Sequence, residues 1–189
     1  STIFNIIEGN MILGYMQRWP DAGINLNHRG PTGEIHGIVI RNNIIDLAAP
    51  GDELSSYPIH NEFDSTYGAQ ILIDPSATGQ ATSIQIFGNI LRNSIGPAIA
   101  AKSLNNSEIA ENIISNAARG GASGNMIARM VPNRYPVVVT HGTGVDVRQN
   151  KIYTKVLPAI RFQGERSKVI ENQITRCEPG PIDGNGVSI

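Results

Sequence analysis

The stretch Ile84-Gln85-Ile86-Phe87-Gly88-Asn89-Ile90-Leu91 returns 23 residues later as Ser107-Glu108-Ile109-Ala110-Glu111-Asn112-Ile113-Ile114. Both contain one frame: apolar, two variable residues, Asn, one variable residue, apolar. The same frame stands at Ile7–Asn10–Ile12, Ile40–Asn43–Ile45, Val147–Asn150–Ile152 and Val169–Asn172–Ile174. The position two before the first apolar residue is also apolar at Ile38, Ile84 and Val145. β-Branched residues fill nearly every apolar slot, which favours strands over helices. A repeat of this kind is one supersecondary unit that cannot bury its apolar side alone.

A second strand follows each frame. It lies ten residues after Asn89, Asn150 and Asn172, at Ile99, Ile160 and Ile182, each preceded by a proline one or two residues earlier. After Asn10, Asn43 and Asn112 it comes later, at Ile24, Ile71 and Val137. A unit of about 22 residues, stacked at the usual strand spacing of about 4.8 Å, would align the isoleucines in columns. The six asparagines Asn10, Asn43, Asn89, Asn112, Asn150 and Asn172 are then expected to take the bend at one corner. Their side-chain amides would bond to one another from unit to unit. Segment 99–114 has some helical spacing, but Asn105-Asn106-Ser107 interrupts it and the frame resumes directly after.

The repeat resembles that of the right-handed parallel β-helices of the pectate-lyase-like superfamily, which includes polysaccharide lyases and phage tailspike depolymerases. The resemblance covers nearly the whole chain. It implies an all-β, single-stranded right-handed parallel β-helix of about six coils, occupying residues 1–189 as one domain. It implies an asparagine ladder between the second and third sheets, and a polysaccharide cleft over the first. No helical cap is legible at either end. The expectation is a piece of a longer solenoid, or ends covered by a partner chain.

Composition narrows the rest. The formal net charge of −1 gives no basis for nucleic-acid binding, and no apolar run is long enough for a transmembrane helix. The single Cys177 excludes an internal disulfide. Zinc-helix, phosphate-loop, Gly-x-Ser-x-Gly and EF-hand motifs are absent from the sequence.

Long insertions fall at 14–23, 47–69 and 115–136, all between the asparagine frame and the strand that follows. Long loops on a rigid scaffold are where binding residues concentrate. Trp19, Tyr57, His60, Glu62, Arg134 and Tyr135 are the candidate substrate-binding residues. Aromatic rings suit the apolar face of a sugar, and charged groups suit hydroxyls or uronates. The plainer alternative is that the aromatics staple the loops to the scaffold.

Period-two alternation, with Ile24, Ile71, Ile99, Val137, Ile160 and Ile182 inward, turns Asn25, Leu72, Ala100, Val138, Arg161 and Asp183 outward. Asp74, Lys102, His141, Arg161 and Asp183 are the candidate catalytic residues for a lyase or glycoside hydrolase, as acid, base or charge neutraliser. Glu108 and Asp146 are expected side by side on the outer face of the asparagine strand. They would be an acid/base pair, a calcium site, or a solvated face balanced by Lys168 and Arg148. Otherwise no metal or cofactor is expected. The leading expectation is a polysaccharide-depolymerising protein acting outside the cell or on a virion. The alternative is a non-catalytic structural or adhesive β-helix, trimeric through an apolar strip at Leu72, Ala100 and Val138.

Overall fold

A computed structural model describes residues 5–13, 22–28, 33–46, 69–75, 78–94, 97–117, 137–154, 158–177 and 187–188. Every element among them is a β-strand. In chain order the first are β1 (Asn5–Glu8), β2 (Met11–Leu13), β3 (Ile24–Asn27), β4 (Ile35–Arg41) and β5 (Ile44–Asp46). Next come β6 (Ile71–Asp74), β7 (Ala81–Phe87), β8 (Ile90–Arg92), β9 (Ile99–Ala110), β10 (Ile113–Ser115) and β11 (Val138–Arg148). The last are β12 (Lys151–Thr154), β13 (Ile160–Glu165), β14 (Lys168–Ile170), β15 (Gln173–Arg176) and β16 (Val187–Ser188).

All described pairings are parallel. They form three ladders. The first holds β3, β6, the start of β9, the start of β11, β13 and β16. The second holds β1, β4, β7, the ends of β9 and β11, and β14. The third is a separate six-stranded sheet, β2-β5-β8-β10-β12-β15. The long strands β9 and β11 join the first two ladders into one sheet. Along the chain the strands enter the ladders in the order second, third, first, over and over. Each pass lays one strand on each ladder, here called a tier.

The core lies between the ladders. Ile40, Ile45, Ile71, Ile73, Ile84, Ile86, Ile99, Ile109, Ile114 and Ile152 are completely buried. Each such side chain stabilises the fold by about 1.5–3 kcal/mol relative to exposure. The β-branched columns are why these segments are strands: the side chains meet their own kind one tier away.

The asparagines do what the frame required. The backbone N–H and side-chain amide of each donate to Oδ1 of the asparagine one tier on, from Asn10 through Asn43, Asn89, Asn112 and Asn150 to Asn172. The distances are 2.9–3.1 Å. The second amide hydrogen reaches back a tier, to the carbonyls of Ile7, Ile40, Ile86, Ile109 and Val147.

The bend itself belongs to the residue before each asparagine, which corrects the expectation. Gly9, Asn42, Gly88, Glu111, Gln149 and Glu171 all have φ between 54° and 68°, the left-handed region. The asparagine that follows is free to point its amide along the stack. A second corner between the first and second ladders uses the same device at Gly37, Ser83, Asn106, Gly144 and Arg166. There a serine stands in for asparagine in two tiers. Ser107 Oγ accepts the N–H of Ile84, and Ser167 Oγ accepts that of Val145. Asn106 therefore bends β9 without ending it.

Two register expectations are corrected. Ile99 and Ile160 pair with Val138, not Val137, so Val138 and Thr140 face the core and Val139 and His141 face out. Ile160 pairs with Val187, not Ile182. Asp183 lies outside the described residues, and the place expected for it, beside Arg161, is held by Ser188. The proposed apolar strip also changes. Leu72 and Ala100 do face out, but they are already buried within the chain in a small cluster with Ala69 and Ala22, while Val138 is core.

Removing Asn112 should be severe, because its Oδ1 satisfies both the backbone and side-chain donors of buried Asn89. Asn112→Ala is expected to destabilise by roughly 2–6 kcal/mol, from about 1–3 kcal/mol per stranded donor. Asn10→Ala, at the exposed end rung whose Oδ1 accepts no bond among the described residues, should cost only about 1 kcal/mol. Urea unfolding of the two variants beside the wild type measures the difference.

Candidate functional site

The first ladder's outer face collects the chemistry. Alternation after Ile71, Ile99, Val138 and Ile160 turns Asp74, Lys102, His141 and Gln163 outward, with Asn27 beside Asp74 one tier earlier. They form a row across successive strands: amide, carboxylate, ammonium, imidazole, amide. Adjacent members are separated by about the strand spacing of 4.8 Å. The Lys102 ammonium lies 3.4 Å from the Asp74 carboxylate, with both side chains roughly a third exposed.

A bulge shapes this row. Between Thr140 and Gly142 the register of β11 against β9 shifts, so Lys102 and Ser103 together oppose His141. Ser103 takes a left-handed φ of 51°, and its N–H donates to His141 Nδ1 at 3.2 Å. A neutral imidazole that accepts at Nδ1 carries its proton on Nε2. His141 therefore presents Nε2–H outward. Protonating Nδ1 would sacrifice the Ser103 bond. Its pKa is lowered below the usual 6.5, first by desolvation and then by the Lys102 charge, while Asp74 pulls the other way.

Gly142 makes the bulge fit. A Cβ there would stand 2.0 Å from the Leu104 carbonyl oxygen, and one on Gly164 would stand 1.8 Å from the Gly142 carbonyl oxygen. Two stacked glycines thus let the backbones close under the imidazole.

Of the expected catalytic residues, Asp74, Lys102 and His141 come together. Arg161 is exposed on the same face in the neighbouring row, paired in register with Val139. Trp19, Tyr57, His60, Glu62, Arg134 and Tyr135 lie outside the described residues. The strands flanking the three long insertions place each insertion between the third and first ladders. Ser103 was missed by sequence reasoning, whereas period-two alternation already turns Asn27, Asp74, Lys102 and Gln163 outward in one row. Only the surplus residue between Ala101 and Leu104, counted against Thr140 and Gly142, could have signalled the bulge.

The second-ladder face is arranged differently. Glu108 and Asp146 are direct register partners, and Asp146 also pairs with Lys168. Arg148 Nε holds Glu108 Oε1 at 2.5 Å and its Nη1 lies 3.7 Å from Glu111 Oε1. A cation between the two carboxylates would compete with that guanidinium. Among the described residues no group of three or more His, Cys, Asp or Glu is placed to hold a metal ion.

Comparison with protein-family models, with curated proteins and with solved structures finds no match to this chain.

His141 should titrate with a midpoint below 6.5 in an NMR pH series, with the Ser103 amide moving in step. Lys102→Ala should raise the midpoint and Asp74→Ala should lower it further. The folded-state pKa is the depressed one, so the unfolded chain binds the proton more readily. The His141 contribution to stability is thus present above pH 6.5 and is lost as pH falls from there through the folded pKa. Gly142→Ala should break the Ser103–His141 bond and lower stability by several kcal/mol, on the order of other backbone-strain substitutions.

Proposed function

We propose that the chain is a right-handed parallel β-helix of about six coils, of the pectate-lyase-like kind, that binds and cleaves an extended polysaccharide outside the cell or on a virion. The three recurring ladders and the continuous asparagine ladder support the fold reading. The row Asn27–Asp74–Lys102–His141–Gln163 carries the functional one. It offers one polar group per tier, and the strand spacing is close to the length of one sugar unit in an extended glycan. A chain laid across the strands would meet a fresh hydrogen-bonding group at each sugar.

Within that reading Lys102 and Arg161 neutralise a uronate or hold hydroxyls. Asp74 serves as proton acceptor, and His141 donates a hydrogen bond through Nε2–H to the oxygen that gains charge. The insertions bearing Trp19, Tyr57, His60, Glu62, Arg134 and Tyr135 would wall the cleft. A second reading is a non-catalytic structural or adhesive β-helix, trimeric in use. It is favoured by apolar side chains on the outer face of the third ladder, where Met11 is 65% and Ile113 41% exposed.

Incubation with a panel of acidic and neutral bacterial and plant polysaccharides, followed by product analysis, tests the two. Depolymerisation is expected to release oligosaccharides, with unsaturated ends for a lyase or new reducing ends for a hydrolase. Asp74→Asn, Lys102→Ala and Arg161→Ala should each slow release, by about 100-fold or more where proton transfer is lost. Unchanged turnover in all three variants would remove the cleft from this face. A complete absence of turnover would favour the second reading.

A further inference from the structure

The third ladder has an outer face unlike the other two. Ile45, Leu91, Ile114 and Ile152 point into the core, so the residues on either side of each point out. The leading outer column reads Met11, Ile44, Ile90, Ile113 and then Lys151, which ends the apolar run. Its members stand on consecutive strands about 4.8 Å apart. The trailing column reads Leu13, Asp46, Arg92, Ser115 and then Tyr153. Scattered apolar residues on a surface need no explanation, but a contiguous run of them marks a contact surface. This run lies along a side of the stack and is centred on β5 and β8, each of which has a strand on both flanks.

The two columns complement themselves under one twofold rotation. Its axis lies along the strands, midway between β5 and β8. The strands of the two copies then run the same way, as sheets packed face to face allow, and their tiers run in opposite order. Ile44 meets Ile90 of the second copy, Met11 meets Ile113, and Leu13 meets Ser115. Asp46 meets Arg92, and Arg92 meets Asp46. A twofold axis parallel to the stack does the opposite. It keeps the tiers level and crosses the columns, setting Ile44 against Asp46 and Ile90 against Arg92. We infer that the chain pairs with a second copy of itself through the outer face of the third ladder, with the two stacks antiparallel and Asp46–Arg92 ion pairs across the axis.

Asp46 and Arg92 are already register neighbours within the chain. The dimer therefore gathers two carboxylates and two guanidiniums in alternation. Asn93 Nδ2 donates to Asp46 Oδ1 at 2.7 Å, which holds that carboxylate at the sheet. Such a contact is isologous and closes on itself, so assembly stops at two. The patch is small beside the roughly 20–30 residues a side of a standard interface, so the dimer is weak and concentration-dependent. Its selectivity comes from the charge pairing rather than from area. The polar row on the first ladder takes no part in it, and the pairing does not depend on the reaction proposed above.

Charge reversal tests this. Asp46→Arg makes both charges of the patch positive, and Arg92→Asp makes both negative. By sedimentation velocity up to about 1 mM, where a contact this small is populated, the wild type should pass from monomer to dimer and no further. Each reversal variant alone should stay monomeric, with the wild-type circular dichroism spectrum. Their equimolar mixture should dimerise, because every charge then faces its opposite. Ile113→Lys, at a side chain that is already exposed, should also stay monomeric. A wild type that is monomeric throughout would overturn the inference. So would dimerisation of Ile113→Lys or of either folded reversal variant to the wild-type extent, or a mixture of the two folded reversal variants that fails to dimerise. If a reversal variant lost the native spectrum, Ile113→Lys against the wild type would decide in the same way.

Discussion

The amide-to-amide hydrogen bond between asparagines one tier apart is the constraint on which this structure rests. A buried side-chain amide must place two donors and one strong acceptor, and few environments supply all three. Here the environment is another copy of the same residue. Each rung from Asn43 to Asn150 receives two donors at Oδ1, hands one amide hydrogen forward and returns the other to a carbonyl behind. The arrangement works only if successive tiers are in strict register. A slip by one residue would strand several buried donors at once, and would also turn every isoleucine of that tier outward.

That register determines what else the surface can hold. The second and third ladders are tied to the asparagines by short, regular segments. The connections back to the first ladder carry no such tie, and all three long insertions fall there. The first ladder also tolerates a bulge. Opposing two residues of β9 to one of β11 costs regular hydrogen bonds, yet it orients His141 through the Ser103 N–H and sets Lys102 against Asp74. Among the described strands, the register shift thus lies on the face where the polar row stands.

Much of this was legible in the chain because the ladder's demands are local and repeated. An Asn flanked by β-branched residues at fixed offsets needs no knowledge of its neighbours. The pairing of Glu108 with Asp146 followed directly from that frame. What escaped notice was non-local. Val137, Val138 and Val139 carry no alternation, so the inward residue of that tier is decided by Ile99 and Ile160, not by the valines themselves. The bulge arises from a difference in length between two distant segments. The left-handed corner was advertised by Gly9 and Gly88, but Glu111, Gln149 and Glu171 adopt it because the asparagine after them is pinned. Ser107 and Ser167 act as shortened asparagines at the other corner, where no repeated letter marked them.

Native-state hydrogen exchange, read by NMR at single amides, tests the ladder's role most directly. If the asparagine bonds hold the tiers in register, the backbone amides of Asn43, Asn89 and Asn112 exchange only through global unfolding, and their side-chain amides are protected with them. Exchange of those amides by local opening, at rates well above those of the buried β9 and β11 core, would contradict the account.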